Sequence, residues 1–197
     1  MTAQFLDTFI LNNQEFSIVG VKGKGLFDPQ RLGIYPVATC TACCRGYFCL
    51  YSIKDNKLIL DMLHISLSSH YRSENNAQCS PEINGIKPTK PEGEYPFFDS
   101  LYEKLNLNIE FTGGILLGDG FIQELYVHMG FHPAWKYKTV FELIFDNGKV
   151  VERRDVSSKI QELRNKMVKH PLRPESGASK EEISSWIEST FKLDYEL

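Results

Sequence analysis

Charge of either sign is nearly absent as a net quantity, because 22 Lys and Arg stand against 25 Asp and Glu and leave a formal balance of −3. Recruitment to nucleic acid or to an anionic membrane by bulk charge is therefore not expected. Long apolar runs are missing as well. The opening "MTAQFLDTFILNNQEF" lacks the basic stretch, apolar centre and small-residue cleavage site of a secretion signal, and polar residues interrupt every hydrophobic stretch. Neither export nor a membrane span is expected. Familiar catalytic signatures are wanting too: there is no G-x-S-x-G elbow and no kinase motif, and "TGGILLGDG" has the glycines of a phosphate loop without its Lys and Ser/Thr. The basic residues from Arg153 to Lys169 read as a solvated helix face, not a nucleic-acid footprint.

What is present is an ordinary globular composition, 42% hydrophobic and 24% charged over 197 residues, enough for one domain with a core of its own. Turn punctuation is dense. Asn147-Gly148, Asp55-Asn56 and, more weakly, Asn12-Asn13 each separate two apolar runs, and these residue types tolerate the positive φ angles of a tight hairpin. Asp119-Gly120 predicts a further turn before Phe121. Between Leu125 and Phe131 the apolar Leu125, Val127, Met129 and Phe131 alternate with Tyr126, His128 and Gly130, the period of a half-buried strand. Roughly eight strands follow from such patterns over residues 5–150, with a polar loop at about 66–96 and a short helix in "PFFDSLYEKLNL".

After Asp155 the period changes. Ser158 and Gln161 suit the start of one amphipathic helix that Pro171 stops, and Ser179 with Glu182 forms a capping box for a second. In the second, Ile183, Trp186, Ile187 and Phe191 make one apolar stripe, to be covered by the sheet of the same chain or by a partner protein. The expected fold is α+β: a curved antiparallel β-sheet or partly closed β-barrel over 1–155, with two C-terminal helices over 156–197 packed on it as a single folding unit.

"CTACCRGYFCL" puts Cys40, Cys43, Cys44 and Cys49 within ten residues. Only Cys40 and Cys43 have C-x-x-C spacing, no second ligand pair follows, and an extended strand would set Cys43 and Cys49 about 20 Å apart, so no metal site is expected. Free thiols pack like small hydrophobes, and five cysteines in all, an odd number, suit reduced thiols in a cytoplasmic protein. One chemical alternative remains, a Cys44 or Cys43 thiol activated by the neighbouring Arg45.

"ELYVHMGFHPAWKYK" is the most chemically dense stretch. Gly130 and Pro133 argue against a helix, and with no Glu after His128 the zinc-protease reading of His128 and His132 fails. On a strand, Glu124, Tyr126 and His128 would share one face, either a wet face or the wall of a site with acid and base groups. A third ligand beside the histidines would come from His64 or Asp61. Phe131, His132, Trp135 and Tyr137, with Arg45 and Tyr47, are the candidate ligand-binding residues, since aromatic surface around Pro133 suits recognition.

At "TACCRGYFCLYSIKDNKLIL", and again at "FTGGILLGDGF" with "LYVHMGF", the chain resembles uncharacterised bacterial proteins in which a Thr-Ala-Cys-x-Arg-Gly-Tyr strand precedes a β-hairpin. The resemblance implies no catalytic residue. It draws attention to Arg45, Gly46 and Tyr47. The expected function is a non-enzymatic protein that binds a small ligand or a protein partner at the barrel mouth, without cofactor; the alternative is an enzyme using His128, Tyr126 and Glu124, or a Cys thiol beside Arg45.

Overall fold

In a computed structural model, the structure describes residues 2–24, 26–67, 81–93, 95, 97–167, 177–191 and 195. Nine strands are found among them: β1 (Thr8–Leu11), β2 (Gln14–Gly23), β3 (Tyr47–Lys54), β4 (Lys57–Ile65), β5 (Ser100–Tyr102), β6 (Leu107–Asn108), β7 (Gly113–Phe121), β8 (Tyr137–Asp146) and β9 (Lys149–Asp155). Three tight turns fix their registers. Asn12 and Asn13 (φ 52° and 61°), Asp55 and Asn56 (49° and 61°), and Asn147 and Gly148 (46° and 76°) all take the left-handed conformation that two-residue hairpin turns require.

The strands form one mixed, curved sheet in the order β3-β1-β2-β7-β8-β9-β4-β5, with β6 on β4. Because β3 also pairs with β4, seven strands run round a ring, but β9 meets β4 through the single pair Lys57–Lys149, so the ring is not a true barrel. One pairing departs from the antiparallel expectation: β1 lies parallel to β3, Thr8 opposite Leu50, because the N-terminal hairpin inserts beside β3 from the far side of the sequence.

Alternate residues of the central strands fill two layers. One face of the sheet packs Phe9, Phe16, Tyr51, Leu60, Ile115, Leu117, Leu143 and Phe145 into the main core. The other face of β2, β7 and β8 carries Val19, Leu116 and Val140, covered by Leu125, Trp135 and by Ile160 of helix α1 (Ser157–Met167). Helix α1 starts one residue before the expected cap. Asp155 accepts from the Ser157 amide at 2.9 Å, and Ser157 Oγ accepts from the Val140 amide at 3.0 Å, so the first turn is tied to β8.

Helix α2 (Lys180–Phe191) begins with the expected capping box: Glu182 N donates to Ser179 Oγ at 3.2 Å and Ser179 N to Glu182 Oε2 at 2.7 Å. Its Ile183 and Ile187 are 38% and 40% exposed, whereas Ile160 of α1 is 1% exposed. No described helix is long and apolar enough to cross a membrane.

Three local expectations are corrected. Asp119-Gly120 makes no turn; β7 runs through it to Phe121, which pairs with Tyr137, and Gly120 absorbs a φ of 66° inside the strand. "PFFDSLYEKLNL" contains β5 and β6, which hydrogen-bond to β4, so its apolar residues serve the sheet and not a helix. Residues 125–131 are not a strand. Phe121–Tyr137 is the last pair of the β7–β8 ladder, and 122–136 is the loop joining them, with 3-10 turns at Gln123–Leu125 and Ala134–Lys136. Its alternation reflects side chains that dip toward the outer cluster, such as Leu125; its ladder contact among the described residues is the isolated parallel bridge of Gly130 with Ala3. Of the expected loop at 66–96, residues 66–67, 81–93 and 95 are described and carry only isolated bridges, at Leu67, Ile83–Ile86 and Thr89; Pro171 and the Phe191 side chain lie outside the described residues.

Candidate functional site

The cysteine stretch builds a turn, and strand β3 starts only at Tyr47. Cys43 and Cys49 are buried, Cys40 is partly buried and Cys44 is exposed. Burial pushes the Cys43 thiol up despite the nearby Arg45 guanidinium, and burial pushes Cys49 up further. Arg45 is otherwise engaged. Its Nη1 donates to Asp7 Oδ2 at 3.0 Å, its Nε to the Tyr47 carbonyl at 2.7 Å, and its guanidinium carbon sits 4.8 Å from the centre of the Tyr47 ring. Burial opposes that charge, yet the Asp7 carboxylate outweighs it and holds the guanidinium protonated. Asp7 also accepts from the Cys49 amide at 2.7 Å, so the pair staples the N-terminal segment to β3. Burial raises the Tyr47 phenol to about 12.

At the β7–β8 end, the loop gathers several of the predicted residues. Tyr126 Oη and His128 Nδ1 lie 2.8 Å apart at the surface, and the Tyr126 ring is 5.2 Å from the His132 ring, which is 4.9 Å from Phe121. Below them the chain is buried. His132 and Trp135 are 8% and 6% exposed, and Lys136, not among the candidate residues above, is 0% exposed. Lys136 Nζ lies 3.3 Å from His132 Nδ1 and 5.2 Å from the centre of the Trp135 ring. Burial lowers the Lys136 ammonium to about 8; burial, with the charge of Lys136 second, lowers His132 to about 4. The ring is thus neutral near pH 7. Tyr137 packs against Phe121 at 5.2 Å, and its burial raises the phenol to about 12.

Two polar atoms here, His132 Nε2 and Trp135 Nε1, are buried and find no hydrogen-bond partner among the described residues. Phe131 is half-buried, and Glu124 is exposed with no hydrogen bond to His128 among the described residues. The N-terminal segment joins this loop to the cysteine turn: Gln4 N donates to the Gly130 carbonyl at 2.8 Å, and Phe5 N to the Ala42 carbonyl at 2.8 Å. Residues 4–7 thus link Arg45, through Asp7, to the loop, through Gln4.

The suggested third ligands do not join His128. Asp61 accepts from Ser52 and Lys54, at the edge of a cleft of about 480 Å³ that also includes Leu50, Met62, Lys104 and Asn106. His64 stacks on Phe48 at 4.6 Å among Tyr95 and Phe98, and burial lowers it to about 4. Among the described residues, no three His, Cys, Asp or Glu side chains are grouped to hold a metal ion.

Lys136 and Asp7 are the residues that sequence reasoning missed. A lysine between Trp135 and Tyr137 reads as solvent-facing by type, and only the lone carboxylate amid the apolar run "FLDTFIL" marked Asp7 as unusual. Comparison with known proteins brings no relative: no family model, no curated protein and no solved structure matches the chain, so the likeness at Thr41–Tyr47 gains nothing from them.

Proposed function

We propose that the protein is a non-enzymatic binding protein whose recognition site is the β7–β8 loop, and that its ligand is a small molecule bearing a carboxylate or a similar pair of acceptor oxygens. The observation that carries this reading is the pair of unpartnered buried atoms, His132 Nε2 and Trp135 Nε1, beside the Lys136 ammonium. Lys136, as a donor, takes His132 Nδ1 as acceptor, which assigns the ring proton to Nε2. Both orphan groups are then N–H donors. A buried donor without a partner costs about 1–3 kcal/mol, so an acceptor-bearing ligand would recover that cost while a cation stands next to it. Phe121, Tyr126 and Tyr137 supply an aromatic surround, and an irregular loop on a rigid sheet is a common place for recognition.

Titration calorimetry with benzoate and, as the uncharged control, benzyl alcohol tests this. Benzoate should bind saturably and benzyl alcohol should not, and His132→Phe should weaken benzoate by about tenfold or more. Equal responses to the two, or no response to either, would overturn the reading. The alternative, an enzyme, has one observation in its favour: the exposed Tyr126–His128 hydrogen bond could relay a proton.

A further inference from the structure

On the outer face of the sheet, two rows of residues cross four strands. Gly20, Leu116, Glu142 and Arg154 are successive register partners on β2, β7, β8 and β9, and Lys22, Gly114, Ile144 and Glu152 make the next row. Two glycines in neighbouring rows open a trough. Neither Gly20 nor Gly114 has a positive φ, so the backbone at both positions would accept any residue. Space is the constraint instead. A Cβ on Gly114 would lie 2.0 Å from Tyr195 Oη, and one on Gly20 would lie 2.9 Å from Tyr195 Cδ1 and 2.9 Å from Leu116 Cδ1.

Tyr195 fills this trough with its ring, and its hydroxyl donates to Glu142 Oε1 at 3.0 Å. Glu142 is only 5% exposed, and its other partner, Arg154 Nη1, is 3.5 Å away and shared with Glu152. A buried carboxylate needs donors, and Tyr195 supplies the shorter of the two bonds. The shape selects a flat ring; the carboxylate selects a donor at its far end.

We propose that the trough over Gly20, Gly114 and Glu142 is a receptor site for a p-hydroxyphenyl group, and that Tyr195 is a tethered occupant which a phenolic ligand displaces. The trough does not use the His132 and Trp135 donors, although Tyr195 packs on the same outer cluster as Trp135. Helix α2, which precedes Tyr195, exposes Ile183 and Ile187, and Tyr195 is the described residue of the C-terminal segment that reaches the trough. A tethered group competes at an effective concentration in the millimolar range, low enough for a free ligand to contest.

The test uses the full chain with Tyr195→Gly and p-cresol as the probe, followed by calorimetry. We expect one saturable site in Tyr195→Gly, at least about tenfold tighter than in the unaltered protein, where the tether competes. Toluene, which lacks the donor, should bind more weakly than p-cresol, and adding Gly114→Ala should abolish the site by filling it. Tyr195→Phe guards against a folding defect: it keeps the ring, and p-cresol should displace it more readily than it displaces tyrosine. Absence of p-cresol binding to folded Tyr195→Gly, or equal affinity with and without Gly114→Ala, would overturn the proposal. A concentration-dependent dimer of the unaltered protein that Tyr195→Gly dissolves would also overturn it, by placing the tail in a second copy.

Discussion

Two cations, the partly buried Arg45 and the fully buried Lys136, show how differently one fold treats positive charge. Arg45 faces the Asp7 carboxylate through a bidentate pair, and that partner keeps it charged against the pull of burial. Lys136 is more deeply buried, sits beside a neutral imidazole and an indole ring, and drops to about 8. The first arrangement satisfies its donors and fastens the N-terminus to β3. The second leaves His132 Nε2 and Trp135 Nε1 without partners among the described residues. Satisfied polarity marks a staple; unsatisfied polarity marks a place with room for chemistry.

The sharpest way to break the contrast is Asp7→Ala, which strands Arg45 in a partly buried site and removes the acceptor of the Cys49 amide. The expected loss is about 3–5 kcal/mol by chemical denaturation, and a loss below about 1 kcal/mol would mean that the pair is no staple. A second loss, spread over two rings, is expected from acid. His64 and His132 both titrate at about 4 in the folded chain against 6.5 unfolded, so between those values the unfolded chain binds more protons. Their contribution is complete above about pH 6.5 and is lost as pH falls toward 4, by about 3 kcal/mol for each ring; His132→Phe should remove about half of that slope in pH-dependent melting. The smallest effect is Lys136→Met. Removing a desolvated ammonium should raise stability by about 1 kcal/mol at pH 7. The gain should shrink as pH rises from about 8 to 10.5, because the folded lysine has then released its proton while the unfolded one still holds it. A loss at pH 7 would place Lys136 with Arg45 among the staples.

Legibility in the sequence followed local constraint. Asn12-Asn13, Asp55-Asn56 and Asn147-Gly148 announced their hairpins because few residue types accept two consecutive left-handed conformations. Ser179 and Glu182 announced a helix start because the two side chains satisfy each other's amides within one turn. Residues 125–131 misled because alternation records which side chains are covered, not whether a neighbouring strand exists; the partner of β7 was already β8. The parallel β1–β3 pair was out of reach, since nothing near either strand encodes a contact made across the sheet. His132, Trp135 and Tyr137 were singled out by type, but the sign of their environment depended on Lys136 being buried, which overrides the ordinary preference of lysine for water.

The seam of the ring has a consequence for assembly. Strands β4 and β9 touch where the tips of two hairpins clasp: Leu58 N donates to the Gly148 carbonyl at 2.7 Å, Val150 N to the Asn56 carbonyl at 3.0 Å, and Asn56 Nδ2 to the Val150 carbonyl at 3.0 Å. The same turn residues that set each hairpin's register therefore form the clasp. A slip of one residue in either hairpin would turn Asn56 or Gly148 away and leave the ring open. Closure thus acts as proofreading: two local registers, written far apart in the chain, are checked against each other at a single point before the sheet can become a ring.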